Sequence, residues 1–159
     1  MRCLVALMPL FLLSLACEER VPTERPLADH GPVPDPSEDP LGARLYALGK
    51  ELIPRHEPVG VVLRGTLRQG EVEDHPVVLV GTHCYAAVGV GSEGVEDLDL
   101  LLIDPNGAAV MHDSDQGAEA TIGVREQICP ATPGMFEVRV RMFRGEGDYA
   151  VRVYQYQVL

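Results

Sequence analysis

Two runs near the end of the chain alternate between apolar and polar residues. In GMFEVRVRMF, the even positions from 136 to 142 are apolar and the odd positions between them are charged. In GDYAVRVYQYQ, Tyr149, Val151 and Val153 fall on the inward parity, opposite Arg152. A period of two is that of a β-strand with one buried and one wet face. The pattern therefore predicts a sheet packed on a second layer, with its register fixed to the residue.

Eight short runs typical of β-strands follow one another from Val59, with turn residues between them. They are VGVVLRGTL, HPVVLVG, HCYAAVGVG, DLDLLLID, AAVMHD, EATIGVREQI, GMFEVRVRMF and GDYAVRVYQYQ. Residues 68–74 are assigned to a turn, and DPNG at 104–107 is the strongest turn signal. HPVVLVG and HCYAAVGVG are close enough in sequence to form a hairpin. The predicted class is all-β, an antiparallel β-sandwich or jelly roll of about eight strands.

One helical repeat precedes the strands. Four leucines between residues 41 and 52 recur at helical spacing. Ser37 or Asp39 can cap the start, and Pro54 ends the run, while Gly42 and Gly49 weaken it. We predict a short amphipathic helix over about 41–53, packed on the domain edge. Residues 41–57 then form the helix and a linker, and residues 58–159 the β-sandwich domain.

The first seventeen residues have the pattern of a secretory signal. Arg2 is followed by an apolar run from residue 4 to 13, then by Ser14-Leu15-Ala16-Cys17. The run is too short to span a bilayer permanently, so residues 1–16 are read as a cleaved signal peptide. A Cys directly after a small residue resembles the lipobox of bacterial lipoproteins, in which Cys17 would carry the lipid. Simple secretion with the same cut remains the alternative.

Residues 17–40 are rich in proline and acidic residues and nearly free of large apolar side chains. Such a segment buries too little surface to become ordered, so we read it as a disordered tether. A lipidated Cys17 would hold the domain in the cell envelope, at the outer membrane. The formal net charge of -11 repels phosphates and anionic head groups. We therefore exclude nucleic acid as a partner and expect contact with the membrane through the lipid anchor only.

Four cysteines have different expected fates. Cys3 leaves with the signal and Cys17 carries the lipid, which leaves Cys84 and Cys129. Exported proteins rarely keep free thiols, so we expect these two to form a disulfide. In the loop-entropy model, a bridge over that separation contributes roughly 4 kcal/mol.

The order of motifs resembles the bacterial pre-peptidase C-terminal domain. The sequence has GTL at 65–67, then CYAAVGV, DLDLLLIDPNG with a following aspartate cluster, and PGMFEVRVRMFRGEGDYAVRV. The family reads in the same order as G-x-L, D-x-D-L-x-L-x-D-x-x-G, G-x-Y-x-V-x-V and G-x-Y-x-L-x-V. The resemblance covers about residues 59–157. It implies a non-catalytic, jelly-roll-like sandwich, here as a stand-alone module on a lipoprotein tether.

Residues 97–115 are crowded with carboxylates, namely Asp97, Asp99, Asp104, Asp113 and Asp115. Calcium takes six to eight oxygen ligands from carboxylates and loop carbonyls, so a calcium site is one hypothesis. The reading we favour is structural. Asp97 and Asp99 would pair across strands with arginines of the wet faces, which are Arg125, Arg139, Arg141 and Arg152. Asp104 would cap the DPNG turn.

Signals for catalysis are weak. Neither Ser92 nor Ser114 lies in a G-x-S-x-G elbow, and GVGSEG at 89–94 precedes a strand where phosphate binding needs a helix. Sugar binding by a sandwich uses aromatic platforms, for which Tyr154 and Tyr156 could be exposed together. We therefore expect a non-enzymatic, lipid-anchored envelope protein that binds another envelope or extracellular protein. The alternatives are a calcium-dependent, possibly carbohydrate-binding module and a secreted hydrolase.

Overall fold

A computed structural model describes residues 26–113 and 115–158 of the chain. The predicted signal peptide and the lipidation site Cys17 lie outside the described residues. The described part contains a single helix followed by eight strands. The elements are α1 (Pro40–Leu52), β1 (Glu57–Leu67), β2 (Val72–Leu79), β3 (His83–Gly91), β4 (Val95–Ile103), β5 (Ala109–His112), β6 (Glu119–Ile122), β7 (Gly134–Gly145) and β8 (Gly147–Gln157).

The strands form two antiparallel sheets of four strands each. Sheet A has the order β1-β8-β3-β6, and sheet B has the order β2-β7-β4-β5. The pairs β1–β8, β2–β7, β3–β6 and β4–β5 describe a long ribbon that folds back on itself at the DPNG turn. Rolling that ribbon places alternate pairs in opposite sheets, which is the jelly-roll arrangement. The predicted all-β sandwich of eight strands is confirmed.

The predicted hairpin of HPVVLVG with HCYAAVGVG is wrong. β2 pairs with β7 at an edge of sheet B, whereas β3 lies inside sheet A between β8 and β6. The short connection from Val80 to Thr82 crosses from one sheet to the other. In this ribbon, successive strands belong to opposite sheets except at the β4–β5 turn, so a short connection does not imply pairing.

The main core lies between the sheets and follows the predicted alternation. Leu98, Leu100 and Leu102 of β4 are buried there, as are the even-numbered residues of β7 from 136 to 142. Tyr149 and Val151 of β8 close the core from sheet A. Burial of apolar surface at roughly 25 cal/mol per Å² is the principal force that holds the two layers together.

A smaller core lies on the outer side of sheet A, under α1. Leu45 packs there with Val88 of β3 and Tyr154 of β8. The helix begins where the Asp39 carboxylate accepts the backbone N–H of Gly42 at 2.9 Å, which is an N-cap of the expected kind. Of the residues described, no helix is both long and apolar enough to cross a membrane.

The described end of the predicted tether lies against the domain. Ala28 donates its backbone N–H to the carbonyl of Pro54 at 2.9 Å, and His30 is buried beside Tyr154. Residues 26–39 contain no helix or strand, yet they follow the surface of α1 and β8 instead of extending away from it. We refer to them as the N-terminal segment.

The Cys84–Cys129 disulfide is present. Cys84 belongs to β3, while Cys129 lies in the connection from β6 to β7. Next to the bond, Tyr85 and Ile128 form an isolated β-bridge. The disulfide therefore fixes the β6–β7 connection to the middle of sheet A.

Candidate functional site

The outer faces of the two sheets differ. Sheet A is covered by α1 and the N-terminal segment. Sheet B has neither element against its outer face. We call the outer face of β2 and β7 the open face; it consists of Val72, Asp74, Pro76, Val78, Met135, Glu137, Arg139, Arg141 and Phe143.

Large apolar side chains on the open face are exposed in two places. Val78 and Met135 are register partners and remain 65% and 62% exposed. Towards the other end, the guanidinium of Arg141 lies over the ring of Phe143, 5.2 Å from its centroid. Arginine, methionine and aromatic residues are enriched in protein interfaces. The open face thus has the composition of a contact surface for a protein.

One charged pair lies between these two groups of apolar side chains. Arg139 contacts Asp74 through two hydrogen bonds, 2.6 Å from Nε and 2.8 Å from an Nη. These bonds hold the pKa of Asp74 below its usual range and raise the pKa of Arg139. Arg139 had been expected to neutralise Asp97 or Asp99, and its partner is instead a residue that the sequence placed in a turn. Asp74 neutralises it within the face.

Asp97 and Asp99 share the outward side of β4, but their surroundings differ. Asp99 lies opposite Arg141 as predicted. Burial raises the pKa of Asp99, and the negative charge of Asp97 raises it further. The positive charge of Arg141 lowers it. Asp97 is only 3% exposed, and its Oδ1 accepts the N–H of Gly117 at 3.2 Å. The predicted pairing of Asp97 with an arginine is wrong, because a bulge in β4 and the chain near Gly117 cover this carboxylate. The guanidinium opposite it, Arg144, pairs with Glu96.

The remaining three aspartates differ in their partners. Asp104 accepts the backbone N–H groups of Asn106 and Ala108, so it stabilises the DPNG turn as expected. Asp115 pairs with Arg125 at 3.1 Å. Asp113 is 8% exposed, and its Oδ2 has no hydrogen-bond partner. Within residues 26–113 and 115–158, no three His, Cys, Asp or Glu side chains gather as a set that could hold a metal ion.

Two other expected positions are wrong. Tyr154 is 3% exposed because α1 and His30 lie over it, so it cannot form a sugar platform with Tyr156. Arg152 was expected on a wet face, but it is half-buried on the covered side of sheet A. Both errors have one cause, because α1 and the N-terminal segment cover the outward face of β8.

A hydrolase would need Ser114, His112 and one of Asp97 and Asp99 to converge, and the three described members have different surroundings. His112 of β5 is near enough to Asp99 of β4 to lower the pKa of that carboxylate. Asp97 is buried and already accepts a backbone hydrogen bond, so it has no access to a substrate. Ser114 lies outside the described residues.

A polar triad that the sequence reasoning missed lies between β8 of sheet A and β2, an edge strand of sheet B. The hydroxyl of Tyr149 on β8 donates to Glu73 Oε2 at 2.6 Å and lies 2.6 Å from Nε2 of His75. Both partners are on the inward side of β2. Burial, with a further contribution from Glu73, raises the pKa of Tyr149. The sequence does contain a sign of this triad, since Glu73 and His75 are polar residues at positions of β2 that face the core. It was missed because Glu73 was assigned to the 68–74 turn.

Comparison with known proteins identifies no family. No family model and no curated protein matches the chain. Among solved structures, the chain is similar to PliG, a periplasmic inhibitor of g-type lysozyme from Aeromonas hydrophila, at 14% sequence identity. The match covers 60% of this chain and 85% of that one, with a TM-score of 0.47.

Proposed function

We propose that this chain is a non-enzymatic, lipid-anchored protein of the bacterial cell envelope whose jelly roll binds another protein through its open face. The observation that carries the proposal is the asymmetry of the sandwich. Sheet A is covered by the chain's own helix, whereas the open face keeps Val78 and Met135 exposed. Exposed apolar side chains rimmed by charges are typical of protein contact surfaces.

The face also restricts the partner's chemistry. Arg139 is neutralised by Asp74, but Arg141 stacks on Phe143 beside a single half-buried carboxylate, Asp99. A complementary partner would present apolar side chains to Val78 and Met135 and a carboxylate to Arg141. Arginine and aromatic residues often dominate the energy of an interface.

Capture from native envelopes tests the open face. A tagged full-length chain and its Met135→Glu variant would be compared with Val61→Glu, a control on β1 whose native residue is 76% exposed. We expect wild type and Val61→Glu to capture the same protein, and Met135→Glu to capture at least tenfold less. Equal capture by all three, or equal loss in both variants, would rule out the open face.

Cys17 as the anchor is supported by the lipobox-like sequence alone. Metabolic labelling with a palmitate analogue tests it directly. The wild-type chain should take up label and Cys17→Ala should not. Absence of label in wild type, or label that survives the substitution, would leave simple secretion as the explanation.

We also propose a pre-peptidase C-terminal type of domain. The motifs that carry this resemblance coincide with elements: GTL ends β1, DLDLLLID forms most of β4, and GDYAVRV forms most of β8. The expected role is that of a binding accessory and not of a catalyst.

A calcium-dependent module is the second candidate, because Asp113 Oδ2 is buried without a partner. Asp115 lines the same cleft and would be its first companion ligand. A ligand that binds only the native state must raise stability. Melting curves that are identical with millimolar calcium and with chelator would exclude this candidate.

A further inference from the structure

A second site lies on the covered side of the molecule. A cleft of about 300 Å³ is lined by the N-terminal segment, α1, β1 and β8. This volume is at the lower end of the range for small-molecule sites, roughly 300–1,000 Å³. It lies on the opposite sheet from the open face, so it is independent of the proposed protein contact.

Arg152 supplies a cation to the cavity without an internal counter-ion. Its Nε is buried and has no hydrogen-bond partner, and no carboxylate among the described residues forms an ion pair with it. The carboxylates that line the cavity are occupied: Asp39 accepts two hydrogen bonds from Arg64, and Asp29 accepts the N–H of Gly31. A buried donor left unpaired lowers stability, so this geometry favours an acceptor from outside the chain.

His30 lines the same cavity and has unpaired polar atoms. It is 8% exposed, and neither ring nitrogen has a hydrogen-bond partner. Burial, and then the charge of Lys50, lowers its pKa, while the nearby carbonyls of Ile53 and Pro54 act in the other direction without reaching hydrogen-bond geometry. A neutral imidazole has one N–H donor, which can add to a bond made by Arg152.

The other walls are apolar or aromatic. Leu45 and Tyr46 come from α1, Val62 from β1 and Tyr154 from β8. Arginine prefers carboxylate and phosphate groups because its planar fork matches their oxygens. A doubly charged phosphate would be repelled by the two lining carboxylates, Asp29 and Asp39. A singly charged ligand with an apolar body would bind Arg152 through its charge and contact the apolar side chains through its body.

We propose that this cavity binds a small organic carboxylate, with its charged group on Arg152 and its apolar part against Tyr46, Tyr154 and Leu45. His30 completes the head-group contact. The ligand lies beneath the N-terminal segment, so binding also fastens that segment to sheet A.

Thermal melting of the full-length chain in mild detergent tests the proposal with butyrate as the probe. Butyramide has the same body without the charge, and phosphate has charge without the body; chloride keeps the ionic strength equal. The variants are Arg152→Gln and Val62→Phe, which fills the cavity. Arg125→Gln is the control, because the side chain of Arg125 is 81% exposed on the other side of α1.

We expect butyrate to raise the melting temperature of wild type and Arg125→Gln by several degrees at saturation, and to leave Arg152→Gln and Val62→Phe unchanged. Butyramide and phosphate should have no effect. No rise in wild type, an equal rise with butyramide or phosphate, or a rise that persists in Arg152→Gln would overturn the proposal. If Arg152→Gln does not fold, Val62→Phe decides in the same way.

Discussion

At the scale of single residues, Tyr149 joins the two sheets through one hydroxyl. The ring lies in the main core, fully buried, while its oxygen lies between Glu73 and His75 of the opposite sheet. A buried hydroxyl with two partners is satisfied both as donor and as acceptor. The triad therefore fixes the position of β2, an edge strand whose remaining hydrogen bonds go to β7 alone.

Tyr149→Phe should destabilise the fold. The ring and its packing remain, but two partly buried groups lose a hydrogen bond, at a cost of about 1–3 kcal/mol. Urea unfolding measures the difference. Tyr46→Phe is the matched control and should change stability by less than about 0.5 kcal/mol. Equal effects of the two variants would show that the triad contributes nothing.

Asp113→Asn should make the protein more stable at pH 7. Burial raises the pKa of Asp113 above its ordinary value of 3.8, so the native state binds this proton more tightly than the unfolded chain does. Stability therefore falls as pH rises through the window between 3.8 and the raised value. The substitution removes that loss, and its advantage should disappear below about pH 4.

Asp104→Asn serves as the control of opposite sign. Hydrogen bonds from Ala108 and Asn106 lower the pKa of Asp104, so its contribution is present at neutral pH and is lost as pH falls through the lowered value. Urea midpoints at pH 7 and pH 3.5 distinguish the two variants. An Asp113→Asn protein that is less stable than wild type at pH 7 would contradict the assignment.

At the scale of elements, α1 depends on close approach to β8. A Cβ placed on Gly49 would meet the hydroxyl of Tyr154, and would lie 2.8 Å from its Cζ. Because Tyr154 is buried, its ring has little room to move aside. The glycine that weakens the helical pattern in the sequence is therefore what lets the helix lie against the sheet.

Gly49→Ala should lower stability although alanine is the better helix former. The helix gains up to about 1 kcal/mol in propensity, but overpacking against Tyr154 costs about 1–3 kcal/mol. Lys50→Ala, at the next and exposed position, controls for propensity alone. A stabilised Gly49→Ala protein in urea would mean that α1 lies farther from β8 than described.

Elements could be predicted from the sequence where a local pattern determines them. The alternation in β7 identified its buried and exposed sides, and the DPNG turn identified the β4–β5 hairpin. Local pattern carries no information about which layer a strand joins, so β2 and β3 were paired wrongly. Nor does it show that α1 covers one face of sheet A, so Arg152 and Tyr154 were placed in solvent.

The site was less predictable than the fold. The residues of the open face can be predicted from the alternation in β2 and β7. Whether another element covers that face depends on where α1 packs. The Glu73–Tyr149–His75 triad required the true start of β2 at Val72. The cavity around Arg152 required residues from four separate segments, and no sequence spacing reports such a meeting.

At the scale of the whole molecule, one covalent bond links distant parts of the ribbon. The Cys84–Cys129 disulfide spans a sequence separation of 45 and holds the crossing from sheet A to sheet B. A loop of this length restricts the unfolded chain considerably.

The double variant Cys84→Ala, Cys129→Ala should lose roughly 4 kcal/mol of stability. Guanidinium unfolding of wild type with and without reductant should give the same difference, since both remove the cross-link. A loss below about 1 kcal/mol would show that the β6–β7 connection is ordered without it.

The pairing of β1 with β8 also determines when the fold can be completed. Glu57 and Gln155 are register partners although about 100 residues separate them. Non-local pairing of this kind slows folding, because the entropy of loop closure is lost before the contacts compensate for it. A chain threaded through a pore from its N-terminus cannot finish sheet A until β8 has emerged. Of the described strands β8 comes last along the chain, and it is one of the two central strands of sheet A.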